Sequence, residues 1–403
     1  MSLDLNQVSG QIDGMAASLK AEEENWKRCL GRALEMLQLQ SADVDSLRKK
    51  IEGSRKTITW LVAGVSDELA GNHRPLPCPT DFTVIASDGS HIDVDRHSPA
   101  RCYLINIGSA TLLYGQNPDA VLRSQPTLYA SKEDMTIVDP LGSGEQPVEG
   151  GLLGIKRAVS ECLALAELGE VLSPGSSAIA LLDGSLIMWG LGGRAYPEYI
   201  RTELLKNGLL TALDKTKEIS LRTGLALASY ISLPRSTEVV NALRIAICPY
   251  DPPDCDRHCP RNSPSSQREC DAVAGIRDRD LFGTLLEPGE RSATFASGSS
   301  VMNYYGDHEI RFFYLKADGE IARVEFPRWV EENGLVDLLH TLILDQCRRG
   351  QGYPVALSES HEQAVVTGAD REQFRHLIEL ALAEHRLLTV TSEKDRSKRT
   401  RWI

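Results

Sequence analysis

The 403-residue sequence has no apolar run of eighteen or more residues and no basic-then-apolar leader at its start. It therefore supports neither a membrane span nor a secretory signal, and a cytoplasmic protein is expected. Cysteine is also scarce, with nine residues in the chain. So few thiols argue against a disulfide scaffold, and in a reducing compartment clustered cysteines favour metal binding.

Positive charge is in deficit, since 44 Lys and Arg residues stand against 56 Asp and Glu residues and give a net charge of −12. This balance argues against a generic basic nucleic-acid coat. It is compatible with an enzyme that acts on nucleic acid, because a carboxylate-rich metal site adds acidic residues and bound cations then reverse the local potential. The 42% apolar content can bury a sizeable core, so the chain is expected to be globular.

Two stretches of the chain end in the same tripeptide. Residues 83–90 read Thr-Val-Ile-Ala-Ser-Asp-Gly-Ser, and residues 178–185 read Ala-Ile-Ala-Leu-Leu-Asp-Gly-Ser. Each is an apolar run too short for a helix, which is typical of a buried strand in an α/β sheet. Asp88 and Asp183 are therefore predicted at strand ends, where two aspartates on neighbouring strands can share a divalent cation. Because Asp-Gly-Ser is also ordinary turn chemistry, the repeat alone leaves a metal site and a pair of turns about equally supported.

A helical pattern from Gly151 to Leu168 leads directly into the second Asp-Gly-Ser strand. A glutamate on this helix can reach across to the two aspartates. Both Glu161 and Glu167 qualify, although either one alone is more simply interpreted as part of a solvated helix face. Further on, Tyr353 and His361 flank a predicted helix start, where a histidine by itself is more often a surface or capping residue.

The first seventy residues have a helical pattern unlike the rest of the chain. Apolar residues recur at alternating steps of three and four, beginning with Leu5, Val8, Ile12, Met15 and Leu19. This stripe must be covered either by the protein's own body or by a partner, since helices also pair through such a narrow seam. A proline-rich stretch at 73–79 ends the pattern, so residues 1–75 are predicted to form a helical region for dimer or partner contact.

Cysteines cluster in a polar segment. Between residues 248 and 270 stand Cys248, Cys255, His258, Cys259 and Cys270 among prolines and aspartates. With almost no apolar residues the segment cannot form a core of its own, and soft ligands at this density suit a tetrahedral zinc site. The spacings match no standard zinc finger, and free thiols in a mobile loop are the alternative. At the end of the chain, residues 393–402 are locally basic and either touch phosphates or form a solvated terminus.

In order from about residue 80 to 380, these features resemble the NurA nuclease domain. The resemblance includes both Asp-Gly-Ser strands, Tyr-Ile-Ser-Leu-Pro-Arg-Ser at 230–236, the stretch at 280–292, and Gly-Tyr-Pro at 352–354 with His361. It implies an RNase H-like α/β fold, a mixed sheet flanked by helices, with the nuclease domain over residues 76–403. The cysteine-rich segment 248–270 is then a small insertion within that domain, which the simplest family members lack.

The resemblance also implies an activity and partners. It points to a metal-dependent DNA nuclease, with single-strand endonuclease and 5′-to-3′ exonuclease activity, that acts as a homodimer with a hexameric HerA-type translocase in DNA end resection. The family's site residues fall on Asp88, Asp183, Tyr353 and His361, with Glu161 chosen over Glu167 as the helix glutamate. Of these, Asp88, Glu161, Asp183 and His361 would hold Mn²⁺ or Mg²⁺.

A protein of another class is the alternative to the nuclease. A catalytically inactive adaptor could bind DNA or a motor ATPase through the N-terminal helices and a zinc site. The retention of all the candidate site residues favours the enzyme, because an adaptor does not need them together.

Overall fold

The computed structural model describes residues 4–66, 68–95, 100–193, 195–259 and 268–387. The basic segment at 393–402 lies outside the described residues. By the contacts among its residues, the chain divides into two compact units. Unit 1 comprises Met1–Pro75, Ser232–Ser299 and Arg311–Val324, and unit 2 comprises Leu76–Ile231, Ser300–Ile310 and Glu325–Ile403.

Helices and strands follow one another along both units. The helices are α1 (Leu5–Ser41), α2 (Val44–Ser54), α3 (Lys132–Met135), α4 (Gly151–Glu170), α5 (Glu198–Arg201), α6 (Thr211–Thr223), α7 (Glu238–Ile247), α8 (Cys255–His258), α9 (Asp278–Leu285), α10 (Arg328–Glu332), α11 (Val336–Arg349), α12 (Val355–Ala364) and α13 (Gly368–Glu384). The strands are β1 (Gly64–Val65), β2 (Asn72–His73), β3 (Phe82–Ile92), β4 (Tyr103–Tyr114), β5 (Asp119–Tyr129), β6 (Thr136–Val138), β7 (Glu145–Pro147), β8 (Ala178–Asp183), β9 (Leu225–Ser232), β10 (Arg291–Ser292), β11 (Phe295–Ala296), β12 (Ile310–Ala317) and β13 (Glu320–Pro327). Within the described ranges, none of the helices combines the length and the apolar character that a membrane crossing requires.

Unit 2 is built on neighbouring strands in the order β9-β8-β3-β4-β5. β4 is antiparallel to both β3 and β5. β8 runs parallel to β3, and β9 runs parallel to β8. Helix α4 packs on β3 and β8, and α12 packs on β3 and β4, so the apolar run of β8 is buried. This mixed sheet flanked by helices confirms the predicted α/β class.

Asp88 does not end its strand, contrary to the prediction. β3 continues past it to Ile92, because β4 pairs with β3 over its whole length. β8 does end at Asp183. In the parallel pair Ser87 is opposite Leu182, so the aspartates that follow these two residues lie next to each other on neighbouring strands.

The apolar stripe of α1 has two different environments. From Cys29 to Leu37 its apolar residues are buried in the core of unit 1, together with residues of α2, α7 and α9. The apolar side chains of the first half are exposed, with Leu5 at 69%, Ile12 at 50% and Leu19 at 59%. Packing on the protein's own body therefore accounts for the second half of the stripe only.

A buried carboxylate holds the start of α7 within unit 1. Asp278 is fully buried and accepts hydrogen bonds from the backbone amides of Val239 at 3.2 Å and Val240 at 2.8 Å. The Tyr314 hydroxyl donates a third hydrogen bond at 2.7 Å. Burial raises the pKa of Asp278, and these donors oppose the rise. The helix start therefore depends on one acceptor that water cannot replace.

We expect Asp278→Ala to lower the free energy of unfolding by about 3 kcal/mol, because two buried amides and a buried phenol lose their acceptor. Urea denaturation followed by circular dichroism measures this loss. Asp13→Ala, at an exposed position of α1, is the control and should change the free energy of unfolding by less than about 0.5 kcal/mol. Equal losses in the two variants would contradict the assigned role of Asp278.

Candidate active site

Asp88 on β3 and His361 on α12 are in direct contact. His361 Nδ1 lies 2.7 Å from Oδ2 of Asp88, whose side chain is 14% exposed, whereas that of His361 is 61% exposed. The other Asp88 oxygen accepts a hydrogen bond from the Gly89 amide at 2.7 Å. A carboxylate at Nδ1 orients the imidazole and leaves Nε2 to ligate a metal or to transfer a proton.

The position of His361 depends on a close approach of α12 to β4. Gly108 is opposite Asp88 in the β3–β4 pair. A Cβ atom on Gly108 would lie 2.2 Å from the carbonyl oxygen of Ser360 and 2.3 Å from the amide nitrogen of Ala364. Since no side chain fits at these distances, glycine at this position allows the helix to lie directly on the strand.

Buried amide side chains hold both ends of α12. At its end, Asn106 donates to the carbonyl oxygens of Gln363 at 3.1 Å and Ala364 at 3.0 Å. At its start, the Gln346 side chain accepts a hydrogen bond from the Ala356 amide at 3.2 Å. These contacts satisfy backbone groups that a helix leaves unpaired at its termini, and they hold His361 in place.

Glu161 reaches the aspartates from α4. It is 6% exposed, and its backbone carbonyl oxygen accepts a hydrogen bond from the Ser87 hydroxyl at 2.8 Å, which ties α4 to β3. Burial raises its pKa to about 8; Arg157 opposes this rise, and Asp88 and Asp183 add to it. Glu161 Oε1 has no hydrogen-bond partner among the described residues. Glu167 lies on the exposed side of the same helix.

The glycine of the first Asp-Gly-Ser allows Glu161 to approach and does not form a turn. A Cβ atom on Gly89 would lie 2.5 Å from Glu161 Oε1 and 3.0 Å from Arg157 Cγ. Arg157 also donates to the Gly89 carbonyl oxygen at 2.6 Å and places its Nε 3.3 Å from Glu161 Oε1. Arg157 is not among the predicted site residues, although its position four residues before Glu161 is the spacing that favours Glu161 over Glu167 in the sequence.

Asp183 and Tyr353 form the other side of the cluster. Asp183 precedes Gly184, whose positive φ of 94° turns the chain at the end of β8. Although part of Asp183 is exposed, burial of the rest raises its pKa; Asp88 adds to the rise, and a hydrogen bond from Tyr353 opposes it. Burial and the Asp183 charge raise the pKa of Tyr353, so its phenol remains protonated as a donor. Its ring packs edge-on against Tyr230, with the centroids 5.5 Å apart.

The donor set fits a hard divalent cation in its chemistry. Three carboxylates and one imidazole are ligands that Mn²⁺ and Mg²⁺ accept. The buried Glu161 oxygen without a partner and the mutual effects of the three carboxylates on their pKa values fit a position for positive charge. In the part of the chain that the structure describes, no three His, Cys, Asp or Glu side chains are placed to hold a metal ion, so these ligands would have to move closer together on binding.

The fold and the site define an α/β protein with a cluster of carboxylates and a histidine. The cluster lies where the parallel strand β8 ends, and sheets of this kind bind ligands at the edge formed by such strand ends. The NurA domain model matches residues 82–366, which is most of the chain. The chain belongs to the NurA family, as its motifs predicted, and this membership supports a nuclease.

A solved structure is also similar to this chain. It is the NurA nuclease from Sulfolobus solfataricus, at 13% sequence identity and a TM-score of 0.45, with 87% of this chain and 96% of that chain covered. None of the curated proteins matches.

The pKa of Glu161 leads to a pH prediction for the metal-free protein. Because this pKa rises from an ordinary value of 4.5 to about 8, the folded state keeps a proton that the unfolded chain releases. The stabilisation is complete below pH 4.5 and is lost as the pH rises through about 8. At pH 8.5, the free energy of unfolding of Glu161→Gln should therefore exceed that of wild type by on the order of 3 kcal/mol. This difference should shrink as the pH is lowered towards 4.5.

Urea denaturation in chelator at pH 5, 7 and 8.5 tests this prediction. Glu167→Gln removes a carboxylate from the exposed side of the same helix and serves as the matched control. Its stability should run parallel to wild type over the whole range. The prediction is wrong if Glu161→Gln also runs parallel to wild type.

Proposed function

We propose that this protein is a metal-dependent DNA nuclease that hydrolyses phosphodiester bonds. The observation that carries the proposal is the contact between Asp88 and His361 beside the buried Glu161, whose Oε1 is left without a hydrogen-bond partner among the described residues. Arg157 Nε lies 3.3 Å from this oxygen and offsets only part of the negative charge of the cluster, and a divalent cation would supply the rest. Membership in the NurA family supports the same activity.

Each side chain has a separate role in the proposed reaction. Asp88, Glu161 and Asp183 would hold the cation, which would activate a water and stabilise the leaving oxygen. His361, oriented through Nδ1 by Asp88, adds a ligand or transfers a proton at Nε2. The protonated phenol of Tyr353 donates to a phosphate oxygen or to the attacking water. Arg157 holds the Gly89 carbonyl oxygen and partly offsets the negative charge on Glu161.

We also propose that the sheet of unit 2 is RNase H-like. The strand directions support this assignment, because β3, β4 and β5 form a consecutive antiparallel series. β8 and β9 are then added in parallel on the other side of β3. The insertion at 248–270 and the N-terminal region 1–75 are proposed additions to this nuclease domain. The prediction that region 1–75 is helical throughout is wrong, because α2 ends at Ser54 and strands β1 and β2 follow it.

Membership in the NurA family supports a finer proposal for the activity and the partners. We propose single-strand endonuclease and 5′-to-3′ exonuclease activity with Mn²⁺ or Mg²⁺, in the cytoplasm, during DNA end resection in double-strand break repair. The protein acts as a homodimer with a hexameric HerA-type translocase. An inactive adaptor for a motor ATPase remains the second candidate, and metal-dependent cleavage separates the two.

Asp88→Asn tests the catalytic site. The substitution keeps the shape of the side chain and removes its charge, so we expect cleavage of single-stranded DNA in Mn²⁺ to fall at least about a hundredfold. The metal-free melting temperature should stay level or rise, since the repulsion among carboxylates is relieved. Asp119→Asn, on the exposed start of β5, is the matched control and should cleave like wild type. If the Asp88→Asn protein is destabilised but cleaves DNA at the wild-type rate, the catalytic role is wrong and Asp88 has a structural role only.

The exposed half of α1 leads to a second test. Deleting residues 1–20 removes Leu5, Ile12, Met15 and Leu19, all of which are exposed, and should leave the rate of cleavage within about twofold. We expect dimerisation or capture of a HerA-type translocase to weaken, and light scattering and pull-down measure these. Deleting residues 1–70 would instead remove core residues such as Leu37 and Leu47 and unfold unit 1. An unchanged mass and unchanged capture after the short deletion would refute a contact role for this half.

A further inference from the structure

Four cysteines of unit 1 lie on elements that adjoin one another. Cys248 follows the last residue of α7, Cys255 begins α8, and Cys259 follows α8. Cys270 lies on a 3-10 helix at Glu269–Val273 and is 6% exposed. None of these residues belongs to the candidate active site, which lies entirely in unit 2.

The short helix α8 brings two of the thiols to one side. The amide of Cys259 donates to the carbonyl oxygen of Cys255 at 3.0 Å, so the two residues are one helical turn apart. Residues at this spacing project from the same face. Asp254 caps the turn by accepting a hydrogen bond from the Arg257 amide at 2.9 Å. The local backbone therefore presents the Cys255 and Cys259 sulfurs as a pair.

Arg244 joins the end of α7 to the 3-10 helix that carries Cys270. Its guanidinium lies 3.4 Å from the carboxylate of Asp271, the residue that follows Cys270. The guanidinium also stacks on the Trp60 ring, with its carbon 3.8 Å from the ring centroid. This arrangement fixes Cys270 near the end of α7, where Cys248 lies.

The stack of Tyr250 on His258, with ring centroids 3.9 Å apart, holds α8 against the segment that follows Cys248 and brings the two pairs of thiols towards each other. Burial raises the pKa of the Cys255 thiol, and Cys259, Cys270 and Cys248 each raise it further. The positive charge of Arg268 opposes this rise, and Arg244 has the same effect on Cys270. Two cations thus accompany the four sulfurs, which suits a site that would carry a net charge of −2 with a divalent metal bound.

Few apolar contacts hold this segment. Of residues 248–259, only Pro253 is buried. The attachments to the preceding helices are polar: Lys50 donates to the carbonyl oxygen of Cys248, and Thr57 donates to that of Pro253. A segment without a core of its own needs another source of order, and a metal cross-link provides it in small polar motifs.

We propose that Cys248, Cys255, Cys259 and Cys270 bind one structural Zn²⁺ as a tetrahedral four-thiolate site. Among the described residues no three His, Cys, Asp or Glu side chains are placed to hold a metal ion, so zinc binding would have to draw the four thiolates together to the Zn–S distance of about 2.3 Å. Each thiol releases its proton on binding, and zinc undergoes no redox change. His258 stacks on Tyr250 with the ring centroids 3.9 Å apart. In this proposal its ring packs against Tyr250 and does not ligate the zinc.

The zinc content of the full-length protein tests this site directly. Purified without added zinc and dialysed, wild type should retain about one zinc per chain by elemental analysis. Cys255→Ser and Cys270→Ser should each retain less than about a tenth of that amount. Cys78→Ser, an exposed thiol in unit 2, and His258→Ala are the matched controls and should keep the wild-type content. Zinc at the wild-type level in Cys255→Ser would overturn the assignment.

Measurements on wild type alone keep the test valid if a variant fails to fold. Cobalt substitution should give the absorption bands of tetrahedral thiolate ligation, and a chelator should lower the melting temperature reversibly. A metal-free preparation in which the four cysteines react freely or form disulfides, at unchanged thermal stability, would also overturn the site. Asp88→Asn should keep its zinc, so this outcome is independent of the proposed nuclease activity.

Discussion

The candidate site depends on two positions at which the sheet of unit 2 has no Cβ atom. Gly89 leaves the space into which α4 brings Glu161, and Gly108, opposite Asp88, leaves the space onto which α12 brings His361. A Cβ atom at Gly108 would lie 2.2 Å from the backbone carbonyl oxygen of Ser360, so α12 would have to move, whereas one at Gly89 would lie 2.5 Å from Glu161 Oε1 and would displace that carboxylate. The chemistry of the cluster therefore rests on close packing of helix against strand, and the charged groups occupy places that this packing defines.

The close packing of the helices brings three carboxylates together, and their negative charges repel one another. Asp88, Glu161 and Asp183 share a small region, and burial with mutual repulsion raises the pKa of the last two. Arg157 offsets part of this charge from the protein side. The repulsion that remains lowers the stability of the folded protein. Functional sites commonly have this cost, because neutral residues at the same positions would give a more stable fold.

Much of this arrangement could be predicted from the sequence. The features that could not be predicted depend on tertiary packing or on strand pairing. The repeated Asp-Gly-Ser selected Asp88 and Asp183 because a short apolar run before a carboxylate is a local pattern. The choice between Glu161 and Glu167 is not local, since both lie on one helix and only tertiary packing decides which side faces the sheet. The continuation of β3 past Asp88 depends on pairing with β4, which propensity does not encode. For the same reason, the uniform stripe of α1 gave no sign that only its second half is covered.

The anchoring of α12 has a kinetic consequence. His361 is largely exposed, yet the helix that carries it is bonded to the sheet through Asn106 at its end and to Gln346 at its start. A reactive imidazole on an anchored helix needs little reorganisation when a substrate arrives. In the nuclease proposed above, binding of the strand and release of the cut ends would therefore need more rearrangement than the placement of this imidazole.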